Sequence, residues 1–333
     1  MNTKNTKTAV IILLVIANLF FIYNIMSLKI SSENITSEMI DNAVNILEKK
    51  EFIVDRNIIP VKKPSSWIYE GEYKQDLFRF DIVKNFSGVS DGEELAAGEM
   101  WGPYGISYAA GDYKFMFSDI RKQPLDSQAD YFKNYFKISI IDKNYSASDI
   151  DFEKLEEEAQ RNMAFLAEKG ISENQKGDIK KAGKIIKNFI KKYQNQDVKL
   201  GFEIIGYEED RYKNCECAAI NQTVDGVRVD FHIVYIEIQD GEVKYFSGNW
   251  YFGGLSVLAK RMPLLDSVNI LFKCIDADKN IVQSEKLKKM NHEYSVIHQD
   301  TESFYFAPAW QLVFESGKTL SYDMISGDKR IKD

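Results

Sequence analysis

Between Thr8 and Leu28 the sequence runs TAVIILLVIANLFFIYNIMSL without a charged residue. A helix rising about 1.5 Å per residue needs roughly 20 apolar residues to cross a hydrocarbon layer about 30 Å thick, so this run is expected to span a membrane once. Lys4 and Lys7 precede it with no acidic residue, whereas Lys29 after it is mixed with Glu33, Glu38 and Asp41. The positive-inside rule then leaves residues 1–7 in the cytoplasm and the bulk of the chain outside. A cleaved secretory signal would have an apolar centre of only about 7 to 15 residues and a small-x-small cleavage site. The stretch IMSLKISS from Ile25 to Ser32 lacks such a pair, and no cysteine lies nearby to carry a lipid, so residues 8–28 are expected to stay as an anchor in the cell membrane.

The part of the chain beyond the anchor is rich enough in apolar side chains to fold. With 44% apolar and 13% aromatic residues among 333, the chain can bury one large core or two ordinary ones. The net charge is −7, and without Lys4 and Lys7 the exterior part is more acidic still. That argues against a nucleic-acid partner, which a basic stripe would bind. Three cysteines, Cys215, Cys217 and Cys274, are too few for a disulfide scaffold. Cys215 and Cys217 are two apart on one face of an expected strand, where a bridge between them would be strained. Small buried side chains, or a Cys217 to Cys274 bridge, remain the alternatives.

Periodicity predicts an α+β fold. Thr36 and Ser37 are candidate caps of an amphipathic helix running to about Lys50. Aromatic-rich runs at Trp67 to Tyr69, Leu77 to Phe86, Met100 to Tyr108 and Tyr113 to Phe117, separated by glycine turns, read as strands of a sheet. After a polar loop at Ser118 to Asp130, Tyr131 to Ile141 reads as a further strand. Two helices follow, one from Phe152 to a stop at Gly170, and one from Asp178 to Tyr193 with Lys180, Lys184, Lys187 and Lys191 along its polar side. From Val198 the period changes to strand. Asp225-Gly226, Asp240-Gly241 and Ser316-Gly317 look like two-residue hairpin turns, and Val227, Val229, Phe231, Ile233 and Tyr235 are expected on one strand face. Pro263 is expected to start a helix from Leu264 to Ala277, before strands at His292 to Gln299, Ser303 to Phe314 and Thr319 to Ile325.

The tetrapeptide Val-Asn-Ile-Leu occurs twice, at Val44 to Leu47 and Val268 to Leu271, each time in an expected helix ahead of strands. This suggests repeated helix-on-antiparallel-sheet units, with one extracytoplasmic domain over residues 29–148 and a second over 149–333.

The sequence has no C-x-x-C, H-E-x-x-H or G-x-x-x-x-G-K. The histidines are His232, His292 and His298, and the last two, six apart on one strand, stand about 20 Å from one another, too far to share a metal. Acid runs such as Glu156-Glu157-Glu158 and Glu208-Glu209 are ordinary in so acidic a chain. No enzymatic activity, cofactor or metal is therefore expected.

The carboxyl-terminal stretch YFAPAWQLVFESGKTLSYDMISG, Tyr305 to Gly327, resembles the end of the YycI family in its Pro308-Ala309-Trp310, strand, Gly317 turn, strand with Tyr322 and final Gly327. The leader is similar too: Lys7-Thr8, an apolar run interrupted by Asn18, a helix, then Asn57-Ile58-Ile59-Pro60. The layout agrees over the whole chain, while motifs are carried by the two ends. Trp101 to Lys143 has no recognised counterpart, and the leader lacks an aromatic residue beside Asn2 to Lys7.

The resemblance implies a single-pass Gram-positive membrane protein with no catalytic residues. With a YycH-type sister protein, its extracytoplasmic part would regulate a cell-wall sensor histidine kinase of the WalK type. A homodimer is compatible with the same anchor. Asn18, with Phe21 one turn on, is then the expected contact with another spanning helix, because a buried amide is best satisfied by a neighbouring helix. Two rivals stand beside this. One is a sensor of wall or peptide ligands, using Trp101 and Tyr104 with Trp250 and Trp310 as ligand or interface aromatics; the other is a protease-inhibitor-like module.

Overall fold

The computed structural model describes residues 35–61, 67–72, 99–101, 105–110, 112–118, 137–142, 144–145, 152–191, 200–210, 214–259, 264–282, 285–298 and 303–330. The expected membrane span with Asn18 and Phe21, and the expected strand at Leu77 to Phe86, lie outside these residues. Among the described residues no helix is long and apolar enough to cross a membrane.

In chain order come α1 (Ser37–Lys49), β1 (Ile68–Glu72), β2 (Glu99–Trp101), β3 (Gly105–Ala110), β4 (Tyr113–Ser118), β5 (Lys137–Asp142), α2 (Phe152–Lys169) and α3 (Lys176–Lys191). They are followed by β6 (Leu200–Asp210), β7 (Cys215–Val224), β8 (Val227–Gln239), β9 (Glu242–Asn249), β10 (Leu255–Ala259), α4 (Ser267–Ala277) and α5 (Lys279–Val282). The chain closes with β11 (Leu287–His298), β12 (Ser303–Phe314), β13 (Thr319–Asp323) and β14 (Lys329–Arg330). The fold is α+β.

Contacts divide the chain into two interleaved units rather than at residue 148. Unit one takes residues 1–66, 262–292 and 309–332, and unit two takes 67–261 and 293–308.

In unit one, Thr36 caps α1 by accepting the Met39 N–H at 3.2 Å. The helix buries Ile40, Ala43 and Leu47 in a core with Val268, Ile270, Leu271, Cys274, Trp310, Leu312, Phe314 and Tyr322. Both Val-Asn-Ile-Leu segments thus feed one core, so they do not mark two repeated units. The sequence expectation also set α4 too early. Asp266 accepts the Asn269 N–H at 2.9 Å and starts the helix at Ser267, because a capping carboxylate satisfies an amide that Leu264 could not. Leu265 stays outside the helix instead, its N–H on Met324 O at 2.7 Å and its carbonyl accepting the Trp310 indole N–H at 3.1 Å. The β12–β13 connection is a four-residue loop, Glu315 to Lys318, rather than a two-residue turn, with the Phe314 N–H on Lys318 O at 2.9 Å.

His292, on β11, lies in unit one with its ring 6.1 Å from that of Trp310. Burial lowers its pKa from 6.5 to about 4. The folded chain therefore resists a proton that the unfolded chain accepts. The stability from neutral His292 is fully present above pH 6.5 and is lost as pH falls from 6.5 towards 4. At about 1.4 kcal/mol per unit, the loss by the acid end of that window is about 3 kcal/mol. Urea denaturation across this range should give a flatter pH profile for His292→Gln than for the unaltered chain.

Unit two is built on a sheet in the order β10-β1-β12-β11-β8-β9-β5-β4-β3-β2, with β7 pairing β8 and β6 pairing β7. The β11–β8 contact, Tyr294 opposite Val229, is parallel, and the strand pairs of β5 through β9 are antiparallel. Asp225-Gly226 and Asp240-Gly241 take positive φ at both positions, 50° and 78°, then 53° and 79°, as two-residue turns that match strand twist require.

Alternate residues of these strands feed two different cores. Phe115, Phe117, Ile138, Ile140, Ala218, Ile220, Val234, Ile236 and Phe246 pack with Ala182, Ile186, Phe189 and Ile190 of α3. Met116, Ile141, Cys215, Cys217, Ala219, Tyr235 and Tyr245 pack with Leu155, Ala159 and Leu166 of α2. Helices thus cover both faces, which is why β7 and the second half of β8 are buried almost without a break. The lysine row of α3 is exposed, as expected of a solvated face. In β8 the expected single face breaks at Phe231: its φ of 59° and an irregular register turn its ring out, 46% exposed, and turn His232 in.

Candidate functional site

The site is a cluster of polar side chains on the α2-covered face of unit two. Strand register puts it together. Glu208 of β6, Cys217 of β7 and Glu237 of β8 stand directly opposite one another in one row, and Asp210 stands opposite Cys215 in the next. Opposite residues point to the same side of a sheet, so two thiols and three carboxylates share this face. Cys215, Cys217, Tyr235 and Glu237 are all buried, Glu237 to 2% exposure.

The three cysteines are free thiols. The Sγ atoms of Cys215 and Cys217 lie 3.6 Å apart. The Tyr235 hydroxyl is 3.2 Å from Cys217 Sγ and 2.8 Å from Glu237 Oε1, and has one proton to give. Asn162 of α2 donates its amide N–H to the Tyr235 oxygen at 3.5 Å, and the Tyr145 hydroxyl donates to Glu237 Oε2. These contacts separate the two thiols. Cys215, hydrogen-bonded with Cys217 and buried, titrates far above the ordinary thiol range. Cys217, in hydrogen-bond contact with Cys215 and Tyr235, titrates lower despite its burial. Burial pushes Tyr235 and Tyr145 up, and the Cys217 sulfur beside Tyr235 and the Glu237 carboxylate beside Tyr145 push them further.

A cavity of about 650 Å³ opens beside the cluster, lined among others by Cys217, Tyr235, Asn162, Leu166 and Glu208 to Asp210. Lys169 stands at its edge, paired with Glu208 at 3.0 Å and 5.4 Å above the Phe165 ring. The lining is therefore acidic and floored by a thiol.

Of the aromatics singled out from sequence, Trp250 and Trp310 do not line this cavity. Trp250 and Trp310 are each 1% exposed, one in the α3-side core of unit two and the other in the core of unit one, so neither offers a ring face to a ligand. The side chain of Trp101 and the whole of Tyr104 lie outside the described residues. Sequence reasoning placed Cys215 and Cys217 on one strand face but missed Tyr235, Glu237 and Tyr145. The only signal for Tyr235 and Glu237 was polar residues within the long apolar run of β8, a run to which Tyr145 does not belong.

No family model matches this chain, and no curated protein does either. Among solved structures it is similar to an uncharacterized protein from Eubacterium rectale, with 10% identity, 84% of this chain and 89% of that chain covered, and a TM-score of 0.38. A likeness at that score carries no argument about what this chain does.

Proposed function

We propose that this chain is a non-catalytic, membrane-anchored regulator of a cell-wall sensor histidine kinase, acting through contacts of its spanning helix and its extracytoplasmic units. What carries the proposal is how soon folded structure follows the apolar run. Ile35 is 3% exposed in the core of unit one, and its N–H bonds Val61 O at 3.2 Å. Residues 29–34 can reach at most about 20 Å when extended, so a partner gripping unit one pulls on the anchor through a short tether.

The YycI-like carboxyl-terminal stretch supports the same proposal. It forms the β12–β13 hairpin of unit one, with Gly317 at φ 86° and Gly327 at φ 76°, and with Trp310 opposite Tyr322. The aromatic-ligand alternative loses weight with Trp250 and Trp310 in cores. Intact protein cross-linked in membranes, purified and identified by mass spectrometry should bring down a WalK-type kinase and a YycH-type partner. Recovery of neither, with the chain present at normal levels, would exclude the regulatory role.

A further inference from the structure

The outer side of α1 is less polar than a solvated helix face. Its core side is Ile40, Ala43 and Leu47. Away from these, Met39, Asn42, Ile46 and Lys49 recur at three- and four-residue steps and so share one stripe. Met39 is 47% and Ile46 44% exposed. Val61, 50% exposed, sits beside the start of the helix, because its carbonyl accepts the Ile35 N–H at 3.2 Å. Glu38 borders the stripe, while Asp41 and Glu48 fall towards the other side, Asp41 paired with Arg56 at 2.7 Å. At the carboxyl end of the stripe a cavity of about 460 Å³ is lined by Lys49, Lys50, Glu51, Ile275, Asp276 and Lys279. All three lysines are exposed, and among the described residues none has an ion-pair partner. Three cations there outnumber two acids, in a chain that is acidic as a whole.

The tether says what lies opposite this face. In the proposed topology residues 29–34 keep Ile35 within about 20 Å of the bilayer, and Met39 is one helical turn further on. Exposed apolar side chains beside lysines are the composition by which a helix lies in a membrane–water interface, the apolar groups entering the headgroup region and the lysines meeting lipid phosphates. We propose that the face of unit one made by Met39, Ile46 and Val61 with Lys49, Lys50 and Lys279 docks on the anionic surface of the membrane that holds the anchor. Docking rests on the anchor of the regulatory proposal and deepens it: unit one is held against the bilayer instead of being left free on its tether.

The test uses the full chain reconstituted in phosphatidylcholine vesicles with or without about 30% phosphatidylglycerol as the anionic lipid. An environment-sensitive dye is attached to Ile46→Cys or Met39→Cys on the stripe, or to Glu48→Cys on the other side of α1. Cys215, Cys217 and Cys274 are buried, and the unaltered chain treated alike gives the blank. In the anionic vesicles spin-labelled lipid should quench the dye on Ile46→Cys and on Met39→Cys but not on Glu48→Cys. Lys49→Gln, Lys50→Gln and Lys279→Gln should each lower the ratio of docked to free chain about fivefold. Salt at about 0.5 M should release the face by screening its charge. An alkaline wash reports the anchor separately, and no kinase is present. A chain retained after the wash whose stripe dyes stay as wet as the Glu48→Cys dye overturns docking and leaves the anchor standing. A chain that the wash removes overturns the anchor, and docking with it. Stripe dyes shielded equally without phosphatidylglycerol and untouched by spin-labelled lipid mean that a second copy covers the face, which also overturns docking on lipid.

Discussion

Removing residues 1–28 is expected to abolish both co-purification of the kinase and the chain's effect on transcription of the kinase's target genes, while Asn18→Leu is expected to weaken both in part. In the proposed topology residues 8–28 cross the membrane, and the proposed signal passes inward through contact of that helix with another spanning protein. Deletion of the anchor removes that contact altogether. A hydrogen bond from an amide such as Asn18 to a neighbouring spanning helix is worth about 0.6 to 2 kcal/mol in a membrane. That corresponds to about a 3- to 30-fold change in association. Matched membrane levels of the Asn18→Leu variant separate lost contact from lost protein. If transcription and co-purification keep their wild-type values after deletion of the anchor, regulation through it is wrong. If they do so only for Asn18→Leu, the contact lies on another helix face.

The elements most legible in the sequence were those whose local chemistry is self-sufficient. The helix α1 carries its own cap at Thr36, α2 its Gly170 stop at φ 68°, and the two Asp-Gly turns their positive φ values. Each needs only its immediate neighbours to be determined. What was not legible depends on distant partners. Leu265 reads as helical by periodicity, yet Met324 and Trp310 hold it outside the helix from 59 and 45 residues away. Phe231 continues an alternating pattern, yet the strand register across from β7 is irregular there and turns it to solvent.

The interleaving of the units has the same origin. Nothing local in Val44 to Leu47 says that its partner in the core is the identical tetrapeptide more than 200 residues later. For the site, spacing alone aligned Cys215 with Cys217, because period two is a property of one strand. Bringing Glu208 and Glu237 to either side of Cys217 required the register of three strands, which no single segment encodes.

The second large effect concerns two glycines that the same substitution should move in opposite directions. At Gly206 the register of β6 shifts, and α2 is pressed so close that an added Cβ would lie 2.0 Å from Leu166 O and 2.4 Å from Leu166 C. Both are backbone atoms of a helix whose Leu166 is 2% exposed, so no side-chain rotation relieves the clash. The helix and strand must part, and Gly206→Ala should destabilise unit two by about 3 kcal/mol, at the upper end of overpacking costs. Gly183, inside α3, has Ile204 Cδ1 at 3.7 Å as the nearest atom to such a Cβ, an ordinary contact. There the alanine loses less backbone freedom on folding, and Gly183→Ala should stabilise by about 0.5 to 1 kcal/mol. Urea denaturation followed by fluorescence reads both shifts, with Trp250 reporting the core of unit two. Leu166 lines the cavity together with Glu208 to Asp210, so backing α2 away from β6 also opens the cavity that Cys217 floors. Equal denaturation midpoints for Gly206→Ala and the unaltered chain would mean that α2 does not sit on β6 this closely, and the enclosure of the thiol pair would fall with it.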